Sequence, residues 1–199
     1  HICSPDELGW QLHPHFTRQR RTCRQRPANF LAKLNPMKML YLLRHAKSSW
    51  KDTLLADHDR PINGRGRDEA PLLGEYLRQR GLTPAFVAVS TARRAIQTAS
   101  EVLSILHYDG LVRHDSRLYL AEIDTLYAVI ASTPAEAASL MLVAHNPGLE
   151  QLLAALTGQA TAMPTCCLAQ IELALPSWPA IGLETQGQLL ETWRPAIRR

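Results

Sequence analysis

Three short, unbroken apolar runs punctuate the chain: Met39-Leu40-Tyr41-Leu42-Leu43, Phe86-Val87-Ala88-Val89 and Leu140-Met141-Leu142-Val143-Ala144. A strand that is apolar at every position has both faces covered, the condition of a central parallel strand. Leu168 to Leu175 and Leu189 to Trp193 read as two later strands. Between the runs the apolar spacing changes to three and four. Residues 67–80 carry Leu72, Leu73, Tyr76 and Leu77 ahead of Gly81 and predict a helix, with Pro71 in its first turn or at a kink. Residues 92–106 gather Ala95, Ile96, Ala99, Val102, Leu103 and Leu106 on one helical face. Residues 124–131 do the same with Leu126, Tyr127, Val129 and Ile130. Thr133-Pro134-Ala135-Glu136 has the capping-box form, with proline at the first helical position, and predicts another helix start. Asn146-Pro147 opens a helix that runs through Leu156 and closes at Gly158. Strands alternating with helices predict an α/β fold with a mainly parallel sheet.

Composition changes this picture little. The 199 residues are 46% hydrophobic and 20% charged, which excludes a disordered or collagen-like chain and suffices for one domain with its own core. No apolar run reaches the ~18 residues of a membrane-spanning helix. Cys166 and Cys167 are neighbours, and Cys3 and Cys23 lie in the first stretch, so no disulfide framework is indicated. A reduced, cytoplasmic setting is the expectation.

Charge matters more. Residues 1–36 hold six Lys/Arg against two acids and so account for the whole formal net charge of +4. They show no hydrophobic period and begin with His1, with Met37 and Met39 directly after them. They are expected to be a basic, disordered extension preceding a domain at 37–199. Their arginine run has little aromatic interleaving, so no nucleic-acid partner is expected.

The chemistry gathers where the apolar runs end. The first runs into Arg44-His45, the second into Ser90-Thr91-Ala92-Arg93-Arg94, the third into His145-Asn146. Ligands of open α/β sheets bind outside the carboxyl ends of the strands, so these residues converge although distant in sequence. Helices beginning just after the second and third runs add backbone N–H groups and a positive dipole end. Two guanidinium forks and two imidazoles suit a phosphoryl group. Neutral imidazole is a competent nucleophile near pH 7, which makes His45 the nucleophile candidate. No HExxH, CxxC, Asp-rich loop or GxxxxGK[ST] segment occurs, so neither a metal nor any other cofactor is expected. Arg93 and Arg94 are adjacent on a helix and cannot both face inward. His58, His107 and His114 read as surface or packing residues, and Cys166 and Cys167 as buried small residues.

At these residues the sequence resembles the histidine phosphatase superfamily, also called phosphoglycerate-mutase-like, and within it the SixA-type phosphohistidine phosphatases. The likeness is carried by Leu43-Arg44-His45-Ala46-Lys47-Ser48-Ser49-Trp50, Asp57 to Gly66, Arg94-Ala95-Ile96-Gln97-Thr98-Ala99, Leu118-Tyr119 and Val143 to Glu150. It implies a three-layer sandwich with helices flanking the central sheet. It also implies that His45 takes the phosphoryl group, that Arg44 and Arg94 clamp its oxygens, and that His145 hydrogen-bonds one of them. Asn146 is added as a substrate contact. Two positions depart from the pattern: Thr91 stands where proline is usual, and Ala144 where glycine is usual, adding a methyl expected close to the pocket.

The general acid is open between Asp57, which occupies the position of an acidic residue in SixA-type proteins, and Glu122. Asp59 reads as a partner of Arg60 or a turn cap. A phosphohistidine substrate relaxes the need for an acid, because imidazole leaves more readily than an alkoxide. The expectation is a metal-independent phosphohistidine phosphatase, monomeric, acting on a phosphohistidine-bearing protein and independent of membranes. A small phosphorylated substrate, or a non-catalytic phosphate-binding module, are the alternatives.

Overall fold

The computed structural model describes residues 37–196. The basic extension expected at 1–36 lies outside the described residues. Six strands form one sheet in the order β3-β2-β4-β1-β5-β6. They are β1 (Met37–Arg44), β2 (Phe86–Ser90), β3 (Leu111–Asp115), β4 (Ser139–Ala144), β5 (Leu168–Ala174) and β6 (Gly187–Trp193). The pairs β1–β4, β2–β4 and β2–β3 are parallel, while β5 runs antiparallel to both β1 and β6. Four helices flank the sheet: α1 (Gly64–Gln79), α2 (Arg93–Ile105), α3 (Ile123–Ala131) and α4 (Gly148–Thr157). This is the mainly parallel α/β fold expected from the pattern, in the sandwich arrangement that the resemblance implies.

The unbroken apolar runs are explained by two cores, one on each face of the sheet. Leu40, Leu42, Leu140, Leu142 and Ala144 pack with residues of α3 and α4. Tyr41, Leu43, Val87, Val89, Met141 and Val143 pack with residues of α1 and α2. Alternate positions of one strand therefore serve opposite cores, and the few buried polar side chains of the sheet, such as Ser90 and Gln170, are hydrogen-bonded. Truncating Leu42, which is fully buried, to alanine costs about 2–5 kcal/mol by this logic.

Two expectations are corrected, and one strand had none. Pro71 lies inside α1, because the helix begins at Gly64 with Asn63 as its cap: the Asn63 side chain accepts from Gly66 N at 2.9 Å. Thr133-Pro134-Ala135-Glu136 is a turn, closed by Ala137 N donating to Pro134 O at 3.0 Å, and no helix follows it. β4 starts only a few residues later, and the Lys38 ammonium donates to the carbonyls of Ala135 and Ala137, drawing this segment to β1. The strand β3 carried no readable signal. It is an edge strand whose side chains are largely exposed, so no unbroken apolar run is required of it. Among the described residues no helix is long and apolar enough to cross a membrane.

Candidate active site

β1, β4 and β2 are neighbours that point the same way. Their carboxyl ends therefore bring His45, His145 and Arg94 to one edge of the sheet, across sequence gaps of 49 and 51 residues. A cavity of about 360 Å³ opens there, lined by Arg44, His45, Asp57, Arg94, His145 and Asn146 together with Lys47, Ser48, Trp50, Arg60, Leu120 and Thr165.

The His45 backbone is clamped from three sides. His45 N donates to Ala144 O at 3.2 Å, Cys166 N donates to His45 O at 3.1 Å, and Ala46 N donates to Thr98 Oγ1 at 2.9 Å. Its side-chain Nδ1 lies 2.8 Å from Ala46 O. A carbonyl only accepts, so Nδ1 carries the proton and Nε2 presents its lone pair to the cavity side. The Arg94 Nε–H donates to that lone pair at 3.2 Å. Burial first, and then the nearby Arg94 and Arg44 charges, hold the His45 pKa down at about 4, against the opposing pull of the Ala46 carbonyl. The ring is therefore neutral at pH 7.

His145 sits 4.9 Å from His45, ring centre to ring centre. Its Nε2 is 2.8 Å from Ser90 Oγ and its Nδ1 is 3.4 Å from Arg94 Nη2. Burial, then the neighbouring His45 and Arg94, lower its pKa to about 3. Arg94 can only donate, so Nδ1 accepts from it and Nε2–H donates to Ser90 Oγ. Ser90 Oγ, which can also donate, would support the other tautomer once Arg94 turns away.

Arg94 is almost wholly buried while Arg93 beside it is exposed. That settles which of the two faces the cavity. Arg94 Nη1 donates to Asp57 O at 2.5 Å and Nη2 to Asp57 Oδ2 at 2.9 Å. Arg44 Nη1 donates to Met163 O at 2.7 Å, and Asn146 Nδ2 donates to the same carbonyl at 3.1 Å. One acceptor thus holds Arg44 and Asn146 side by side.

The two acid candidates part here. Asp57 lines the cavity, whereas Glu122 is exposed at the start of α3 and does not. The Asp57 carboxylate accepts from Arg94, from Arg60 Nη1 at 2.8 Å and from Tyr119 Oη at 2.7 Å. Burial raises its pKa, but the Tyr119 hydroxyl and the Arg94 and Arg60 charges together outweigh that and hold it below the usual carboxylate range. Asp57 is therefore ionised at neutral pH in this structure. Asp59 pairs with His58 at 3.1 Å and not with Arg60, because Arg60 turns inward to Asp57, Ser48 Oγ and Ser49 O.

Two departures from the family pattern also find their place. The Ala144 methyl belongs to the core under α3 and α4 and not to the cavity lining, since positions 140, 142 and 144 share that face. Thr91 Oγ1 lies 3.1 Å from His58 Nε2, within hydrogen-bond reach, an interaction unavailable to proline. The buried thiols of Cys166 and Cys167 are inert, with burial pushing Cys166 up to about 12. The sequence assigns no place in the site to Arg60, Tyr119 or Ser90, and pairs Arg60 with Asp59 instead. They are the residues that position Asp57 and His145.

Close approach also shapes the rim. A Cβ at Gly66 would fall 2.5 Å from Lys47 O, and one at Gly148 would overlap Ala121 O. These glycines let α1 meet the segment after β1, and α4 meet the segment before α3.

Residues 40–125 match the Histidine phosphatase superfamily (branch 1). A protein of Mycobacterium leprae without an assigned function is 37% identical over 122 residues, covering 60% of this chain and 73% of that protein. Two solved structures of proteins that carry the SixA phosphohistidine phosphatase name are similar. That from Agrobacterium tumefaciens has 28% identity and a TM-score of 0.69, covering 79% of this chain and 98% of its own. That from Nakamurella multipartitia has 25% identity and a TM-score of 0.69, covering 81% and 98%. The chain belongs to the histidine phosphatase superfamily, is a phosphatase, and resembles SixA proteins in structure.

Proposed function

We propose that this phosphatase hydrolyses phosphohistidine on proteins by way of a phosphohistidine formed on His45. The carrying observation is the hydrogen bonding of the cavity carboxylate: Asp57 accepts from Arg94, Arg60 and Tyr119, which outweigh burial, hold its pKa below the usual carboxylate range and favour the ionised form. An ionised carboxylate cannot donate a proton to an alkoxide, and imidazole does not demand one.

The steps follow from the side chains. His45 Nε2 attacks phosphorus, and the P–N bond of the substrate breaks. Its electron pair stays on the departing imidazole, which takes a proton from water. Arg94 shifts its Nε–H from His45 to the phosphoryl oxygens, joined by the Arg44 fork. With Arg94 turned to the phosphoryl group, His145 takes the tautomer protonated at Nδ1 and donates that N–H to one oxygen, while the Ser90 hydroxyl donates to its Nε2. Water then attacks phosphorus, the P–Nε2 bond breaks with its electron pair returning to His45, and phosphate leaves with the protons of the water shared between it and solvent. Positioning and charge neutralisation are the main requirements of phosphoryl transfer, and these groups supply them without a metal in the scheme.

Single-turnover phosphate release tests this, with a phosphohistidine protein and a phosphoserine peptide as substrates and His45→Ala as control. Fast, His45-dependent release from phosphohistidine alone is expected. Equal release from phosphoserine would refute the substrate class. Release that persists in His45→Ala would refute the nucleophile.

A further inference from the structure

The rim beside the catalytic cavity carries a surface that the chemistry at His45 does not use. Trp50 is 70% exposed and Leu54 95% exposed, unusual for large apolar side chains. Yet Trp50 is held firmly. The Arg60 guanidinium lies 3.3 Å from the centre of its ring, and Arg60 is itself buried and bonded to Ser49 O at 3.0 Å and Asp57 Oδ1 at 2.8 Å. The backbone here is tied down too, by Ser49 N donating to Pro61 O at 2.8 Å and by the bridge between Ser48 and Ile62. A rigid aromatic surface with little rotamer freedom to lose is a favourable contact for a partner.

A second hollow of about 360 Å³ lies against it, lined by Lys47, Ser48, Ser49, Trp50, Lys51 and Asn63. It shares Lys47, Ser48 and Trp50 with the catalytic cavity, so the two adjoin. Its lining holds two ammonium groups and no carboxylate. The nearby Asp52 Oδ1 is turned back to accept from Leu54 N at 3.0 Å. The balance of acids and bases over residues 37–199 is even, so this positive field is local. A phosphoryl group with a small leaving group would fill only the first cavity. The second suits an extended, acidic continuation of the substrate.

We propose that the Lys47–Trp50–Lys51 shelf is a docking subsite for an acidic polypeptide segment flanking the phosphorylated residue. This rests on the reading of the substrate as a protein, and it adds which protein sequences are taken.

The test uses two phosphohistidine peptides with a common core, one flanked by glutamates and one by lysines, with phosphoramidate as a minimal substrate. The same pair carrying phosphoserine is run alongside. The glutamate-flanked peptide is expected to have the higher kcat/KM, by about five-fold or more, mostly through KM and diminishing with salt. Lys51→Glu should remove that preference and leave phosphoramidate turnover unchanged. Binding of the unphosphorylated glutamate-flanked peptide, followed by fluorescence anisotropy, should weaken in both Lys51→Glu and Trp50→Ala. A flank preference seen only with phosphoserine would uphold the docking subsite and refute the phosphohistidine reading. Equal kcat/KM for both flanks, no effect of Lys51→Glu, or no peptide binding would overturn the docking subsite itself.

Discussion

Asp57→Asn separates two roles that the geometry assigns differently. The carboxylate serves three donors: Oδ2 takes Tyr119 Oη and Arg94 Nη2, and Oδ1 takes Arg60 Nη1. An asparagine keeps one accepting oxygen. Its cheaper orientation keeps Tyr119 and Arg94 satisfied and turns the amide NH₂ toward Arg60. One charge-assisted hydrogen bond is then lost, worth about 1.5–3 kcal/mol where buried. The Asp57 side chain is 45% exposed, so solvent screening reduces this to about 1–2 kcal/mol. A domain of this size then melts lower by roughly 2–8 °C. Arg94 stays in place but is less firmly oriented, so kcat/KM should fall about ten-fold, by the same factor for phosphohistidine and for a phosphoester. Steady-state kinetics on the two substrates reads this directly. An arriving phosphoryl dianion does push the Asp57 pKa back up. If it thereby becomes a working acid, Asp57→Asn would cut phosphoester turnover by about 10²–10⁴ and spare phosphohistidine. That split would refute the reasoning.

Other expectations follow from the same contacts. Arg94→Ala should lower kcat/KM by about 10²-fold or more, while Arg93→Ala, exposed on the same helix, should leave it near the parent value; equal losses would reverse the assignment of the two arginines. Because His45 protonates only near pH 4 in the folded chain, the acid limb of kcat/KM should lie near that value and not near 6.5. The same shifts make stability fall with acid. The unfolded chain protonates these histidines near the usual 6.5, the folded one only at about 4 and about 3, so it takes up protons first on unfolding and stability declines below about pH 6.5. Denaturant melts between pH 3 and 7 would read the slope. Thr98→Val leaves the buried Ala46 N–H without its acceptor and should cost about 1–3 kcal/mol, measured by urea denaturation.

What sequence alone determined was local and chemical. Strands β1, β2 and β4 were legible because burial on both faces leaves an unbroken apolar run, and α2, α3 and α4 because one buried stripe imposes a 3–4 spacing. Arg44, His45, Arg94 and His145 were legible because each follows such an element, and strand ends are where α/β sheets gather ligands. Edge strand β3 left no trace because its exposed side chains satisfy no packing constraint. The capping-box pattern at 133–136 misled because a tether from Lys38 and the nearby start of β4 override local propensity. Only the tertiary structure decided how the site is wired. Arg60 choosing Asp57 over Asp59, Tyr119 reaching Asp57 across 62 residues, and the Ala144 methyl turning to the core are matters of distance and burial. Such contacts depend on how separate segments are held together, and no spacing along the chain encodes them.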